Sequence, residues 1–310
     1  MSRSPFSDNP RTAAEQEAPA LRRSVPSSTK RHLQSETEPQ GSIDRDRIER
    51  GSQKERTPEA LDKPRAYYLR DRAYFLRSSE LQTLLEVGTF RAIAASDLAR
   101  ISYGGDTQRM EREIRRLRDQ SLLSEKVVRA GRHRTTRLLA LTRTGARLAR
   151  NSSALPQGQI LHQGFVKPRE AKHDADLYRL YHAEAERIKK AGGRPVRVVL
   201  DFELKRNLNR DLAGLPPEQE SDKARERIAE RHGLAFVNGK IPVPDLRIEY
   251  DTADLERQHV DLELATRNYR PRALADKAKA GFSLYAARQD AQRLRRVLDQ
   301  REITPEILAL

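Results

Sequence analysis

The residues with the clearest chemical potential are carboxylates on two short runs near the C-terminal end of the chain. Residues 244–250 and Arg257–Ala265 both alternate polar and apolar side chains, which predicts a β-hairpin with one apolar face. With the turn centred near Asp254, Asp245 lies directly opposite Glu263. Carboxylates that face each other across two strands repel, so a positive group must lie between them.

Two more acids, Asp261 and Glu249, share this face of the predicted hairpin. The cation that neutralises the acids is either Arg247, which lies on the same face, or a divalent metal ion. A fifth acid, Glu184, falls on a helix predicted over residues 173–190, in the middle of an apolar stripe. A carboxylate on a buried helix face also requires a partner or a cation.

A second chemical feature is an arginine-rich helix in the middle of the chain. Asp106 is a candidate N-cap, and Thr107–Asp119 has helical spacing with Met110, Ile114 and Leu117 on one stripe. We expect that stripe to be buried. Arginine pairs with guanine edges and glutamine with adenine, so a solvent face rich in both suits the major groove of DNA. The residues of that face are Gln108, Arg112, Arg115, Arg116 and, more laterally, Arg109.

The elements around this helix indicate how it is positioned. A helix capped by Ser79 and closed by Gly88, and a short helix over residues 96–101, come before the glycine turn at residues 104–105. The strands Leu123–Arg129 and Thr135–Leu141 follow it and form a hairpin.

This order predicts a winged helix-turn-helix whose wing is the hairpin. The basic wing residues expected to contact phosphates or the minor groove are Arg132, Arg134 and Arg137. The competing interpretation is a solvated helix face, because Glu111 and Glu113 lie within reach of the arginines.

The charge distribution favours a polyanionic partner. The chain of 310 residues has a formal net charge of +15, and residues 66–150 hold 18 basic against 9 acidic residues. Double-stranded DNA is therefore the expected partner, ahead of an anionic membrane surface. Absence of cysteine excludes disulfides, thiolate nucleophiles and sulfur-ligated zinc. No run approaches the roughly 18 apolar residues of a membrane span, which predicts a cytoplasmic protein.

The expected organisation is α+β with four segments. Residues 1–65 are rich in proline and mixed charge and predict a disordered tail, and residues 66–150 form the winged helix-turn-helix. Residues 151–163 form a linker to an α/β domain over residues 164–310, with a helical insertion near residues 205–235. Within that domain we also predict a strand over residues 197–204.

Pro244 and Asp245 at the start of one strand, with Glu263 on its neighbour, resemble the magnesium-binding motif of the PD-(D/E)xK nuclease fold. The resemblance implies that Asp245 and Glu263 ligate Mg²⁺ and that Glu184 is the acid donated by the preceding helix. In that family a lysine two residues after the Glu orients the attacking water, but Ala265 occupies this position. Lys277 is the candidate replacement, on the edge of a helix that starts at Pro271 and whose apolar stripe extends to Tyr285.

A winged helix followed by a degenerate PD-(D/E)xK-like half resembles the replication-relaxation family of plasmids and integrative elements. The motif Leu-Thr-Arg-Thr-Gly over residues 141–145 contributes to this resemblance. It implies a DNA-binding protein in replication, mobilisation or regulation of a mobile element, with a non-catalytic C-terminal domain that recruits a protein partner.

Two other hypotheses remain open from the sequence. One is a magnesium-dependent DNA endonuclease that uses Asp245, Glu263 and Lys277. The other is a transcriptional repressor whose C-terminal half serves only to dimerise.

Overall fold

A computed structural model describes residues 62–129, 135–165, 168–216, 218, 220–266, 269–299 and 307–309. All of them belong to one compact unit, Arg56–Leu310. The predicted tail lies outside the described residues except for residues 62–65. The fold is α+β.

The first half of the described chain contains a hairpin, three helices, a small sheet and a closing helix. Its elements are β1 (Arg65–Leu69), β2 (Arg72–Leu76), α1 (Ser78–Thr89), β3 (Ile93–Ala94), α2 (Ala95–Ile101), α3 (Thr107–Asp119), β4 (Leu123–Arg129), β5 (Thr135–Leu141) and α4 (Arg143–Arg150). The second half is a five-stranded sheet with helices. Its elements are α5 (Pro168–Lys190), β6 (Arg194–Leu200), α6 (Asp201–Ala213), α7 (Asp222–Arg231), β7 (Leu246–Asp251), β8 (Arg257–Ala265), α8 (Pro271–Lys279), β9 (Ser283–Ala286), α9 (Arg288–Asp299) and β10 (Ile307–Ala309).

The arginine-rich helix has the predicted bounds and the predicted cap. The Asp106 side chain accepts the Arg109 N–H, and the apolar stripe of Met110, Ile114 and Leu117 is buried. Gly104 and Gly105 have positive φ values of 59° and 91°, a conformation that glycine adopts without strain.

The strands β4 and β5 also match their predicted bounds and pair antiparallel, and β3 joins β5 to make a three-stranded sheet in the order β3-β5-β4. The motif at residues 141–145 starts α4. The Thr142 hydroxyl accepts the Gly145 N–H, and a Cβ on Gly145 would lie 2.1 Å from the Leu122 carbonyl oxygen.

The first helix differs from its prediction at both ends. Its N-cap is Arg77, and the Ser79 hydroxyl bonds to Asp62 and Glu113 instead. Gly88 does not close the helix, because α1 continues to Thr89. The Leu141 and Leu161 side chains pack where a Cβ of Gly88 would lie, so this glycine permits close packing.

Two predictions in the second half were wrong. The strand predicted over residues 197–204 ends at Leu200, and α6 begins at Asp201 because Leu204 and Leu208 form a buried helical stripe. The helix that starts at Pro271 ends at Lys279. The chain then turns at Gly281, with φ of 83°, so that Tyr285 lies on strand β9.

The remaining differences are smaller. Helix α5 begins at Pro168, before the predicted start at residue 173, and α7 lies within the predicted helical insertion. The Asn-Gly turn at residues 238–239 is present, but only the single bridge Val237–Lys240 flanks it.

The five-stranded sheet has the order β10-β9-β8-β7-β6. Strands β6, β7 and β8 are antiparallel, whereas β8, β9 and β10 are parallel. Leu246 pairs with Leu262 and Arg247 with Asp261, which confirms the predicted register and places Asp245 opposite Glu263.

One hydrophobic core runs through both halves. It includes Leu141 of the small sheet, Leu177 of α5 and Ile248 of β7. Between the halves, the Gln159 amide donates to the Val198 carbonyl oxygen at 3.0 Å and accepts the Val198 N–H at 2.9 Å. Residues in the predicted linker are thus bonded to β6. None of the helices in the described ranges is long and apolar enough to cross a bilayer.

Candidate functional site

The solvent face of α3 carries three of the predicted DNA-contacting side chains. Gln108, Arg112 and Arg115 are exposed, on the side of the helix opposite the buried stripe. The buried stripe packs α3 against the rest of the first half and fixes which face is presented. The geometry therefore offers a short surface with an amide and two guanidinium groups, which donate hydrogen bonds to phosphates and base edges.

Two predicted residues, Arg109 and Arg116, face inward instead. The Arg116 Nε atom lies 2.6 Å from Oε1 of the buried Glu80 on α1, and the Arg109 Nε atom lies 3.1 Å from Oε1 of the buried Glu113. Glu113 also accepts the hydroxyls of Ser79 and Tyr103. Both arginines therefore neutralise buried carboxylates, and the Arg116–Glu80 pair also joins α3 to α1.

Of the three predicted wing arginines, the structure describes Arg137. Arg137 forms an ion pair with Glu111 of α3 and lies 3.9 Å from Glu125. This ion pair connects the hairpin to α3. It also occupies Glu111, one of the two acids that could have neutralised the arginines on the exposed face of the helix. Arg132 and Arg134 fall outside the described residues.

The predicted carboxylate pair is brought together at one end of the large sheet. The Asp245 N–H donates to Glu263 Oε2 at 3.2 Å, and Lys277 Nζ donates to the same oxygen at 2.7 Å. The Tyr269 hydroxyl donates to the other Glu263 oxygen. His173 Nε2 lies 3.5 Å from Asp245 Oδ1. We call Asp245, Glu263, Lys277, His173 and Tyr269 the carboxylate cluster.

The electrostatics of the carboxylate cluster separate its two acids. Burial opposes ionisation of Asp245, but the His173 hydrogen bond, the Leu264 N–H and the Lys277 charge hold the pKa of Asp245 below its usual range. Burial and the negative charge of Asp245 raise the pKa of Glu263, against the opposing effects of Lys277 and Tyr269. The hydrogen bond to Asp245 raises the pKa of His173 despite burial.

Glu184 is not part of the carboxylate cluster. Its carboxylate accepts the Tyr285 hydroxyl and lies 3.2 Å from Arg187 Nη1. Tyr285 pairs with Leu264, whereas Glu263 pairs with Leu284, so Glu184 and Glu263 contact opposite faces of the sheet. Glu184 therefore has a hydrogen-bond partner, as a buried carboxylate requires. It does not contact the predicted metal ligands Asp245 and Glu263.

The cluster residues fit a resident Mg²⁺ ion poorly. Both Glu263 oxygens already accept hydrogen bonds, and Asp245 Oδ2 accepts the Leu264 N–H at 3.0 Å. Two acids face two basic side chains, so the cluster neutralises its own charge when all four are ionised. In the described part of the chain, no group of three or more His, Cys, Asp or Glu side chains is arranged to hold a metal ion.

Arg247, one of the two cations predicted to lie between Asp245 and Glu263, pairs with Asp261 instead. Lys277 and His173 are the basic groups beside the predicted pair. The Arg247 guanidinium binds Asp261 through two hydrogen bonds of 2.6 and 2.8 Å, and both residues are buried. The same group donates to the carbonyl oxygens of His232 and Gly233 at the end of α7. Arg247 therefore joins the α6–α7 insertion to the sheet.

Sequence reasoning did not identify His173, Tyr269 or Glu80 as partners. His173 and Tyr269 reach the cluster from α5 and from the loop after β8, and no local spacing relates them to Asp245. Glu80 could have been identified from its position three residues after the N-cap of α1, where its side chain accepts the Arg77 N–H.

The His173–Asp245 pair predicts a pH-dependent contribution to stability. The raised pKa of His173 means that its contribution is complete below pH 6.5 and is lost as pH rises through the folded-state value. The lowered pKa of Asp245 means that its contribution is present above pH 3.8 and is lost as pH falls through the folded-state value.

We expect His173→Gln to reduce the free energy of unfolding by up to about 1 kcal/mol at pH 5, because the imidazole is 39% exposed and partly screened. At pH 9 the loss should be smaller. Urea denaturation of both proteins at the two pH values measures it. A loss of equal size at both would contradict the assignment.

Comparisons with known proteins give a weak structural similarity. No protein-family model matches the chain, and no curated protein sequence is significantly similar to it. Among solved structures, the chain is similar to Bacillus subtilis PadR in a crystal structure with operator DNA, at 12% identity and a TM-score of 0.19. That match covers 50% of this chain and 90% of the PadR chain.

Proposed function

We propose that the protein binds double-stranded DNA through α3 and the wing. The observation that carries the proposal is the exposed face of α3, where Gln108, Arg112 and Arg115 project from a helix whose opposite stripe is buried. A helix held in this way inserts into the major groove, where arginine and glutamine contact base edges.

The charge of the first half supports the same partner. Residues 66–150 carry twice as many basic as acidic residues, 18 against 9. Glu80, Glu111 and Glu113 are each engaged by an arginine other than Arg112 and Arg115. Glu80, Glu111 and Glu113 thus pair with Arg116, Arg137 and Arg109, and Arg115 contributes positive potential to the exposed face of α3.

We further propose that the C-terminal half is non-catalytic and contacts a protein partner. The support is the carboxylate cluster, whose acids are satisfied by Lys277, His173, Tyr269 and backbone N–H groups. A role in replication, mobilisation or regulation of a mobile element, and kinship with the replication-relaxation family, rest on the order of the two halves.

Fluorescence anisotropy of the full chain with a labelled duplex of about 20 base pairs tests the proposal. We expect binding at low salt. The logarithm of the association constant should fall linearly with the logarithm of the salt concentration, with a slope of about −0.9 for each phosphate contact. Absence of binding at about 50 mM salt would contradict it.

A second candidate is metal-dependent DNA cleavage. It is favoured by the convergence of Asp245, Glu263 and Lys277, three residues from separate elements. The hydrogen bonds that already occupy both Glu263 oxygens weigh against it.

A further inference from the structure

A groove outside the α3 surface concentrates positive charge. The hairpin β1–β2 and the start of α4 enclose an open groove of about 420 Å³. We call it the hairpin groove. Its charged lining consists of four arginines and one acid, namely Arg70, Arg72, Arg143, Arg147 and Asp71.

The four arginines of the hairpin groove differ from the arginines that the fold pairs with carboxylates. All four are exposed, and none forms an ion pair with any residue that the structure describes. Arg72 lies over the Tyr74 ring, 4.9 Å from its centroid. Elsewhere, arginines such as Arg116 and Arg247 are held by carboxylates at 2.6 Å. Four like charges around one groove repel each other, and a bound anion would relieve that repulsion.

Two of these arginines occupy positions that local physical chemistry disfavours. Arg70, at the tip of the hairpin, has a φ of 54°, a left-handed conformation that glycine adopts more easily. Arg143 is the first residue of α4, where the helix dipole favours an acidic side chain. The stability of the hairpin and of α4 therefore does not explain why arginine occupies these two positions. Departures from local preference concentrate at functional sites.

We infer that the hairpin groove binds the phosphodiester backbone of nucleic acid, as a second binding surface besides α3. The inference rests on the proposed function and extends the DNA-binding surface to β1–β2 and α4. Four guanidinium groups exceed the charge of a single inorganic phosphate, which is about −2 at most near neutral pH. A chain of phosphates therefore matches the groove better than one small anion does, and guanidinium groups bind phosphate oxygens in bidentate fashion.

The test compares three variants of the full chain for binding to the labelled duplex. Arg143→Gln/Arg147→Gln removes two charges from the groove, and Lys223→Gln/Arg227→Gln removes two exposed charges from α7 as the matched control. We expect the groove variant to bind roughly tenfold more weakly at about 150 mM salt, with a salt slope shallower by about two. The control should bind like the wild type.

Arg70→Gly, the third variant, separates stability from binding. The substitution relieves the left-handed strain at the hairpin tip, so the melting temperature should stay the same or rise. The affinity for DNA should nevertheless fall, because the variant has one guanidinium group fewer to bind a phosphate. A merely structural role for Arg70 predicts unchanged affinity.

The outcomes distinguish this inference from the proposed function. If the groove variants bind like the α7 control while Arg112→Ala/Arg115→Ala weakens binding, the groove inference is wrong and DNA binding through α3 stands. If the α3 variant and the groove variants all bind like the wild type, both are wrong.

Discussion

Replacement of Arg112 and Arg115 with alanine is expected to weaken binding to duplex DNA by roughly 30-fold or more, because each arginine that pairs with a base edge contributes about 1–3 kcal/mol. Both side chains are exposed on the face of α3 opposite its buried stripe. Their removal should leave the fold intact, because neither contributes to the core. Anisotropy at fixed salt measures the affinity, and circular dichroism checks the helix content.

Arg116→Ala is the informative comparison for this prediction. Arg116 pairs with the buried Glu80, so its removal leaves an uncompensated charge between α1 and α3. We expect lower stability for Arg116→Ala and nearly unchanged stability for the Arg112/Arg115 variant. If the Arg112/Arg115 variant bound DNA as tightly as the wild type, α3 would not be the DNA-binding surface.

Arg247→Met is expected to lower the free energy of unfolding by about 3–5 kcal/mol. The substitution leaves Asp261 buried without its cation and removes the hydrogen bonds to the carbonyl oxygens of His232 and Gly233. Because domains of this kind are stable by only about 5–15 kcal/mol, the decrease is a large fraction of the total. Urea denaturation measures it.

Arg257→Met on the neighbouring strand is the matched control. Arg257 is mostly exposed, and its partner Asp251 keeps a second arginine, Arg194. We expect a decrease of less than about 1 kcal/mol. Replacing both members of the buried pair, as Arg247→Met/Asp261→Leu, should cost less than Arg247→Met alone. Equal decreases for Arg247→Met and Arg257→Met would refute the role assigned to the buried pair.

The parts of the fold that could be predicted are those set by local periodicity and caps. Helix α3 follows from its apolar stripe and from Asp106, and strands β4 and β5 follow from β-prone runs around a basic loop. The register of β7 and β8 follows from alternation on either side of one turn, which was enough to place Asp245 opposite Glu263.

The parts that failed depend on interactions between distant residues. The valine-rich run predicted a strand through residue 204, but burial of Leu204 and Leu208 on one face selects a helix. A helical wheel placed Arg116 among the exposed arginines because it contains no information about Glu80, which lies 36 residues earlier in the chain. The same limit applies to Glu184, whose partner Tyr285 lies on a strand that the sequence did not indicate.

The two halves of the protein use charge differently. In the carboxylate cluster, Lys277 and His173 neutralise Asp245 and Glu263 within the protein. On α3 and in the hairpin groove, arginines are exposed to solvent. This contrast is the reason that we place ligand binding in the first half of the chain and assign the acids of the second half a structural role.

The measurement that tests the account most directly uses supercoiled plasmid with the full chain and with Asp245→Ala, in magnesium and in EDTA, scored for gel retardation and nicking in the same lanes. The account predicts retardation in both buffers, no nicking, and the same result for both proteins. Magnesium-dependent nicking that Asp245→Ala abolishes would make the carboxylate cluster a catalytic site and contradict it, as would the absence of retardation.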